Sequence, residues 1–211
     1  MSEFIEFDKI ARLSRPCVIT EKIDGTNAQV YIVEAMDPSG DVAAAEEHVI
    51  ARNASGDVMF AGSRSRYITP SADNFGFARW VKEHAAELWT LGPGRHFGEW
   101  WGSGVQRGYG LQNGEKRFSL FNVARWHAER DREKFPVDPP SCCHVVPVIL
   151  RSLFTTEAVE VALGELRAKG SFASPGFTRP EGVVIWHEAA RVLLKKTLEK
   201  DDEPKHRGEK P

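Results

Sequence analysis

Lys22 and Asp24 stand two positions apart in the run Lys22-Ile23-Asp24-Gly25, directly before a segment with strand-like alternation. A lysine amine that has lost its proton is a nucleophile, and a neighbouring cation or a bound divalent metal favours that form. A carboxylate close by can help to bind the metal. The run alone is also typical of an ordinary surface turn, so its chemistry depends on what other segments bring to it.

Further charged residues lie where the surrounding sequence is apolar or rich in glycine. Glu99 falls inside "FGEWWGSG", Glu181 opens "EGVVIW", and Lys195 and Lys196 follow "RVLL". Charges in such surroundings are seldom buried without partners, so we expect opposite charges to converge. Arg64, in "GSRSRY", adds a planar donor group for a phosphate or ribose oxygen. This set suits a phosphate ligand with a divalent metal, although the chain has no glycine-rich phosphate loop ending in Gly-Lys-Ser/Thr.

Length and composition indicate a globular protein. The chain has 211 residues, 41% of them hydrophobic, and a formal net charge of -2, so the overall basic character of many nucleic-acid-binding proteins is absent. The three cysteines, Cys17, Cys142 and Cys143, do not resemble a disulfide framework and favour a reducing compartment. No signal sequence or membrane-spanning run is evident, so we predict a cytoplasmic protein with no membrane partner.

The periodicity of apolar residues predicts strands before, between and after two helices. The helices are predicted over 73–91 and over 155–170, the second opened by Thr155 or Thr156 and closed by Gly170. A hairpin is predicted with its turn at 53–57. These elements predict one α+β domain over 1–200, built on antiparallel sheets flanked by helices, with a polar tail over 201–211.

Six segments, in order, resemble the motifs of the covalent nucleotidyltransferase superfamily of polynucleotide ligases and RNA capping enzymes. The Lys22-Ile23-Asp24-Gly25 run resembles the motif that carries the nucleophile, and "SRSR", "FGEWWG", "FSLFNV", "EGVVI" and "LLKKTLE" resemble the motifs that follow it. One such match is weak, whereas six in family order are specific. Asn27, in Lys-x-Asp-Gly-Thr-Asn, is typical of RNA ligases of the RNA ligase 2 kind, whereas DNA ligases and capping enzymes usually have arginine there.

The resemblance implies a nucleotidyltransferase (ATP-grasp-like) core and a role for each matching residue. Lys22 would attack the α-phosphate of ATP and form lysyl-AMP. Glu99 would hold the ribose hydroxyls, Phe121 would stack on adenine, Lys195 would contact the α-phosphate, and Arg64 would sit on the ribose and phosphate side. The nucleotide-binding set implied also includes Glu21, Asn27 and Lys196, and the implied metal ligands are Asp24 and Glu181.

The resemblance also implies the cofactors and partners. The implied nucleotide is ATP and the implied metal is Mg²⁺, with Mn²⁺ as an alternative. The implied substrates are RNA ends or a nicked duplex, with DNA as an alternative. The sequence after the last motif is short, so we expect no separate OB-fold or other C-terminal domain, and an accessory protein that binds the substrate is a further expectation. The competing functions are a DNA ligase, a GTP-using capping-type enzyme, and a nucleotide- or RNA-binding module without catalysis.

Four choices remain open in the sequence. Adjacent lysines on a strand point to opposite faces, so only one of Lys195 and Lys196 can reach the phosphate, and we favour Lys195. Arg66 competes with Arg64, and Phe118 competes with Phe121 from the other face of its strand. Gln106 and Arg107 are candidates for a contact with nucleic acid, but a solvated loop explains them equally well.

Overall fold

The computed structural model describes residues 7, 10–36, 45–126 and 138–199, and the predicted polar tail over 201–211 lies outside them. The chain divides into two compact units. The small unit comprises Met1–Lys22, Val148–Phe172 and Thr178–Pro211, and the large unit comprises Ile23–Pro147 and Ala173–Phe177. The assignment of 1–200 to one domain stays a prediction.

The small unit is built on a four-stranded antiparallel sheet in the order β11-β10-β1-β9. Its strands are β1 (Pro16–Lys22), β9 (Val148–Leu153), β10 (Gly182–His187) and β11 (Val192–Thr197). The central pair, β1 and β10, therefore joins segments that are far apart in the sequence.

One helix, Thr156–Lys169, covers a face of the small sheet, and we name it α3 because two helices precede it in the chain. Its N-cap is Thr155, whose side chain accepts the Ala158 N–H at 3.1 Å, and its C-cap is Gly170 at φ 76. The helix buries Leu163 and Leu166 against the sheet. The helix predicted over 155–170 is present.

The large unit contains a mostly antiparallel sheet whose main path runs β3-β4-β2-β6-β7-β8, with β5 paired to β4. The strands are β2 (Thr26–Val33), β3 (Val49–Arg52), β4 (Val58–Ser63), β5 (Tyr67–Ile68), β6 (Gly94–Gly102), β7 (Lys116–Leu120) and β8 (Cys143–Val145). The hairpin with a turn at 53–57 is present as β3 and β4. One pair, β7 with β8, is parallel, which the purely antiparallel prediction missed.

The single helix predicted over 73–91 is instead three short pieces: α1 (Phe77–Glu83), α2 (Ala85–Leu88) and the 3-10 helix Trp89–Leu91. The break falls at His84, whose backbone leaves the helical region at φ -104 and ψ 14. Its backbone N–H and its ring Nδ1 both lie within 3.0 Å of the Trp80 carbonyl oxygen. The apolar residues Phe77, Val81 and Leu88, whose spacing predicted a helix here, are fully buried.

The fold class is α+β, as predicted. Short 3-10 helices at Glu46–His48 and Gly108–Gly110 complete the described elements. No helix in the described part of the chain combines the length and the hydropathy that crossing a bilayer requires.

Candidate active site

Lys22 meets a carboxylate in the small unit. It is the last residue of β1, and its cross-strand partner on β10 is Gly182. Glu181 stands directly before β10, and its Oε2 lies 2.5 Å from the Lys22 Nζ, with the two side chains 22% and 13% exposed. The β1–β10 register thus brings together two of the residues that the sequence singles out.

The glycine after Glu181 is required by the sheet. Gly182 has φ 156, and a Cβ there would lie 2.3 Å from the Lys196 carbonyl oxygen. Any side chain would therefore push β11 away from β10. This close approach fixes Glu181 at the start of β10, opposite the end of β1.

The two adjacent lysines of β11 lie on opposite faces of the small sheet. Lys195 shares a cross-strand row with Thr20, two residues before Lys22, so Lys195 and Lys22 lie on one face, here called the Lys22 face. Lys196 points to the α3 side, where its Nζ lies 3.6 Å from Glu160. The register places Lys195, and not Lys196, on the Lys22 face.

Glu21 also lies on the α3 side of the small sheet, because it alternates with Lys22. Its side chain is 1% exposed, and its Oε2 accepts the Phe172 N–H at 2.8 Å. The Glu21 carboxylate therefore supports the fold of the small unit. Its predicted place among the nucleotide-binding residues stays a prediction.

In the large unit, the turn after Lys22 is held by three separate contacts. The Asp24 N–H donates to the Tyr109 hydroxyl at 3.0 Å, and the Arg107 Nε donates to the Asp24 Oδ2 at 3.1 Å. The Gly25 N–H donates to the Glu99 Oε1 at 3.1 Å. Gly25 has no room for a side chain, since a Cβ would lie 2.4 Å from the Trp100 carbonyl oxygen. The turn is therefore rigidly placed.

Tyr109 is a residue that the sequence did not single out. It is fully buried, with a left-handed backbone at φ 48, and its ring centroid lies 5.3 Å from that of Trp101 and 4.6 Å from that of Phe177. The Ser174 hydroxyl donates to its carbonyl oxygen at 2.8 Å. The glycines on either side of Tyr109 signal an unusual backbone, but they do not reveal a partner 85 positions away. We call the contacts of Tyr109 and Arg107 with Asp24 the clamp. The role of Arg107 was left open in the sequence.

One face of the large sheet carries several predicted nucleotide-binding residues. Asn27 and Glu99 are cross-strand partners on β2 and β6. Phe121 follows β7, donates its N–H to the Phe97 carbonyl oxygen at 3.0 Å and is 39% exposed. Phe118 is fully buried in the core, so Phe121 is the ring available to a ligand.

Phe97 is a further exposed aromatic residue that the sequence did not single out. It lies two residues before Glu99 on β6, hence on the same face of the sheet, and it is 46% exposed. The strand alternation in "FGEWW" was the available signal, because it places Phe97 and Glu99 on one face. Arg64 and Arg66 are both exposed in the turn between β4 and β5, so the choice between them stays a prediction.

The predicted metal ligands are hard oxygen donors that suit Mg²⁺ or Mn²⁺. The Asp24 carboxylate contacts Arg107, and the Glu181 carboxylate contacts Lys22. Over the described ranges, no group of three or more histidine, cysteine, aspartate or glutamate side chains is arranged to hold a metal. Either carboxylate alone fits an ion that takes one or two protein carboxylates and completes its shell with phosphate oxygens and water, which is how Mg²⁺ is usually bound.

Comparison with known proteins agrees with the motifs. The sequence model of the RNA ligase family matches residues 15–200. None of the curated proteins matches the chain. Since the family match covers most of the sequence, it decides the family on its own.

Solved structures of Naegleria gruberi RNA ligase share the fold. A mutant with AMP and Mn has a TM-score of 0.52 at 18% identity, covering 88% of this chain and 50% of that chain. A mutant in the apo form gives 0.51 at 18% identity, covering 87% and 50%, and the protein with PPi gives 0.50 at 17%, covering 93% and 57%. The chain thus spans little more than half the length of these structures. By its sequence match, with this fold in agreement, the chain belongs to the RNA ligase family.

Proposed function

We propose that this protein is an ATP-dependent RNA ligase that acts through lysyl-AMP on Lys22. The observation that carries the proposal is the small-unit arrangement in which Glu181 contacts the Lys22 amine and Lys195 lies on the same face. Family membership supports the reaction class. A carboxylate in contact with a lysine, and a second cation on the same face, are groups that a nucleophile and a phosphate can use.

The first step is attack of the Lys22 Nζ on the α-phosphorus of ATP. The amine must first lose its proton to solvent, a loss that the Lys195 cation on the same face and a bound divalent metal would favour. An N–P bond then forms while the P–O bond to pyrophosphate breaks, and pyrophosphate leaves with the bonding electron pair. Lys195 offsets negative charge on the α-phosphate during this exchange.

The next two steps transfer AMP and seal the RNA. A 5′-phosphate oxygen of the RNA attacks the AMP phosphorus, and the N–P bond to Lys22 breaks. A 3′-hydroxyl then attacks the activated 5′-phosphate, and AMP leaves. The substrates we infer are RNA ends or a nicked duplex, and Asn27 in the Thr-Asn pair favours RNA over the DNA alternative.

Residues of the large unit are proposed to hold the nucleotide. Glu99 binds the ribose hydroxyls, Phe121 stacks on adenine, and Arg64 contacts the ribose and phosphate side. Asp24 and Glu181 would hold the divalent metal, which when bound offsets the charge of the triphosphate. Arg107 and Tyr109 support this binding indirectly, because they fix the backbone and carboxylate of Asp24.

The compartment we infer is the cytoplasm, a reducing environment. Cys17, Cys142 and Cys143 are all free thiols, and two of them are buried. Free thiols of this kind are stable where glutathione keeps cysteines reduced.

A labelling experiment tests the reaction. The protein is incubated with α-labelled ATP and Mg²⁺, and the label that stays on the protein after denaturation at neutral or alkaline pH is measured. We expect label on the wild type, none on Lys22→Ala, and full label on Lys82→Ala, which removes an exposed lysine from α1. Absence of label on the wild type, or label that survives Lys22→Ala, would contradict the proposal. GTP in place of ATP, and nicked DNA in place of RNA, separate the alternative enzymes.

A further inference from the structure

We propose that a pocket of the large unit binds a nucleotide of a single-stranded RNA substrate. The pocket, here called the α1 pocket, is lined mainly by Phe75, Arg79, Trp80, Glu83, Trp100 and Lys116, and its volume is about 240 Å³. This size is below that of sites for drug-sized ligands and suits a single base. The inference rests on the proposed function, because it assigns part of the RNA to this surface.

Phe75 has an unfavourable backbone conformation, and its ring is not buried in a way that would account for it. Its φ is 52, in the left-handed region that bulky residues avoid, while its side chain is 48% exposed. Asparagine or glycine would adopt this conformation at lower cost. A half-exposed ring kept in a strained turn points to a ligand-binding role.

The turn that presents Phe75 is held by contacts on both sides. The Trp100 indole Nε1 donates to the Phe75 carbonyl oxygen at 3.1 Å. The Asp73 carboxylate accepts the Ala78 N–H at 2.8 Å and the Arg79 N–H at 3.1 Å. The strained conformation is therefore imposed by its surroundings, and it aims the ring at the pocket.

The charged residues of the α1 pocket suit a phosphate beside a base. Neither the Arg79 guanidinium nor the Lys116 ammonium forms an ion pair with any residue that the structure describes. Single-stranded nucleic acids are bound by aromatic rings that stack on bases together with cations that contact phosphates. Glu83 would repel a phosphate, but its carboxylate can accept a hydrogen bond from a base amino group. Phe75 and the two cations therefore match RNA better than an apolar partner.

The α1 pocket adjoins the start of β2, where the predicted catalytic turn ends. The Asn74 Nδ2 donates to the Thr26 Oγ1 at 3.2 Å, and Thr26 directly follows Gly25. Trp100, part of the pocket wall, directly follows Glu99 on β6 and points to the opposite face of the sheet. An RNA strand that passes the edge of the large sheet near the turn can therefore place a nucleotide in the pocket.

Substitutions of Phe75 test the stacking contact. The affinity for a short fluorescein-labelled oligoadenylate is measured by fluorescence anisotropy, and thermal unfolding is measured in parallel. We expect Phe75→Asn to weaken binding about tenfold without lowering the unfolding temperature, and Phe75→Tyr to bind like the wild type. Unchanged affinity in Phe75→Asn, or an unfolding temperature that drops in that variant, would overturn the assignment, since the ring would then be structural.

Substitutions of the cations test the phosphate contact with a matched control. Arg79→Gln and Lys116→Gln should each weaken binding and reduce the slope of log affinity against log salt by about 0.7. Lys82→Gln removes the same charge from an exposed position of α1 outside the pocket and should leave the slope unchanged. Equal effects at Lys82 and Arg79 would overturn the pocket in favour of general electrostatic attraction.

The labelling experiment separates failure of this inference from failure of the proposed function. The α1-pocket variants should acquire labelled AMP at the wild-type rate, because they lie outside the predicted nucleotide site. The wild type could be labelled normally and yet bind no RNA, or its RNA affinity could be unchanged in Phe75→Asn, Arg79→Gln and Lys116→Gln. Either result would overturn the α1 pocket and leave the ligase proposal standing. Absence of labelling in the wild type would instead contradict the proposed function.

Discussion

At the scale of single residues, the central contact joins Lys22 to Glu181, which lies 159 positions further along the chain. Sequence pattern indicated that each residue was unusual, because each is a charge at the end of an apolar strand. The register of β1 with β10 supplies what the pattern could not, namely that the carboxylate reaches the amine itself.

The adjacent lysines of β11 provide a prediction with an internal control. Lys195 lies on the Lys22 face and Lys196 lies on the α3 side near Glu160. We expect Lys195→Ala to slow AMP labelling of the protein by about 100-fold, as for loss of a donor to developing charge. Lys196→Ala should retain nearly the wild-type rate. The reverse order of the two rates would show that the phosphate contact comes from the other face.

At the scale of elements, the sequence predicted a helix correctly where the start and end of the helix depend on its own residues. The α3 helix begins after Thr155 and ends at Gly170, as its caps predicted. Periodicity was insufficient over 73–91, where His84 interrupts an otherwise continuous apolar stripe. It also could not find Tyr109, because a contact with Asp24 depends on tertiary packing and leaves no periodic trace.

The N-cap of α3 gives a prediction about stability. Thr155→Ala removes the hydroxyl that accepts the Ala158 N–H, so the free energy of unfolding should fall by about 1 kcal/mol. Thr156→Ala, one position later and outside the cap, is the matched control and should lower the free energy of unfolding by less. Chemical denaturation monitored by circular dichroism measures both, and equal losses would remove the cap as the cause.

The clamp on the turn after Lys22 gives a prediction about positioning. Tyr109→Phe keeps the buried ring but removes the hydroxyl that accepts the Asp24 N–H. We expect the free energy of unfolding to fall by about 1 kcal/mol. The maximal rate of AMP labelling should fall by about tenfold, because the turn loses its fixed position.

Tyr67→Phe is the control for that clamp, because the Tyr67 hydroxyl accepts an exposed contact from Arg95 at 3.4 Å. A Tyr109→Phe variant that is destabilised but labels at the wild-type rate would make Tyr109 a purely structural residue. A changed rate at saturating ATP separates positioning from a loss of nucleotide affinity.

At the scale of the whole molecule, stability should depend on pH through a buried histidine. His96 is 5% exposed, and burial holds its pKa below the ordinary value, while its Nε2 donates to the Gly92 carbonyl oxygen at 2.9 Å. In the unfolded chain the pKa returns to about 6.5. As the pH falls through that value, the unfolded state gains a proton that the folded state does not, so stability decreases.

Thermal unfolding at pH 7.5 and at acidic pH, down to about pH 5.5, measures this dependence. His96→Gln, which retains a donor but does not titrate in this range, should show a smaller decrease than the wild type. His48→Gln, at a more exposed site, is the control. An identical decrease in wild type and His96→Gln would assign the pH dependence to other groups.

Covalent attachment of AMP to Lys22 is the central step of the proposed reaction. Mass spectrometry of the protein after incubation with ATP and Mg²⁺, followed by digestion and peptide mapping, tests it. We expect one adduct with the mass of an adenylyl group, which is AMP less one water, on the peptide that contains Lys22, and its loss when pyrophosphate is added. An adduct on any other lysine, or none on protein that binds ATP, would contradict the proposed reaction.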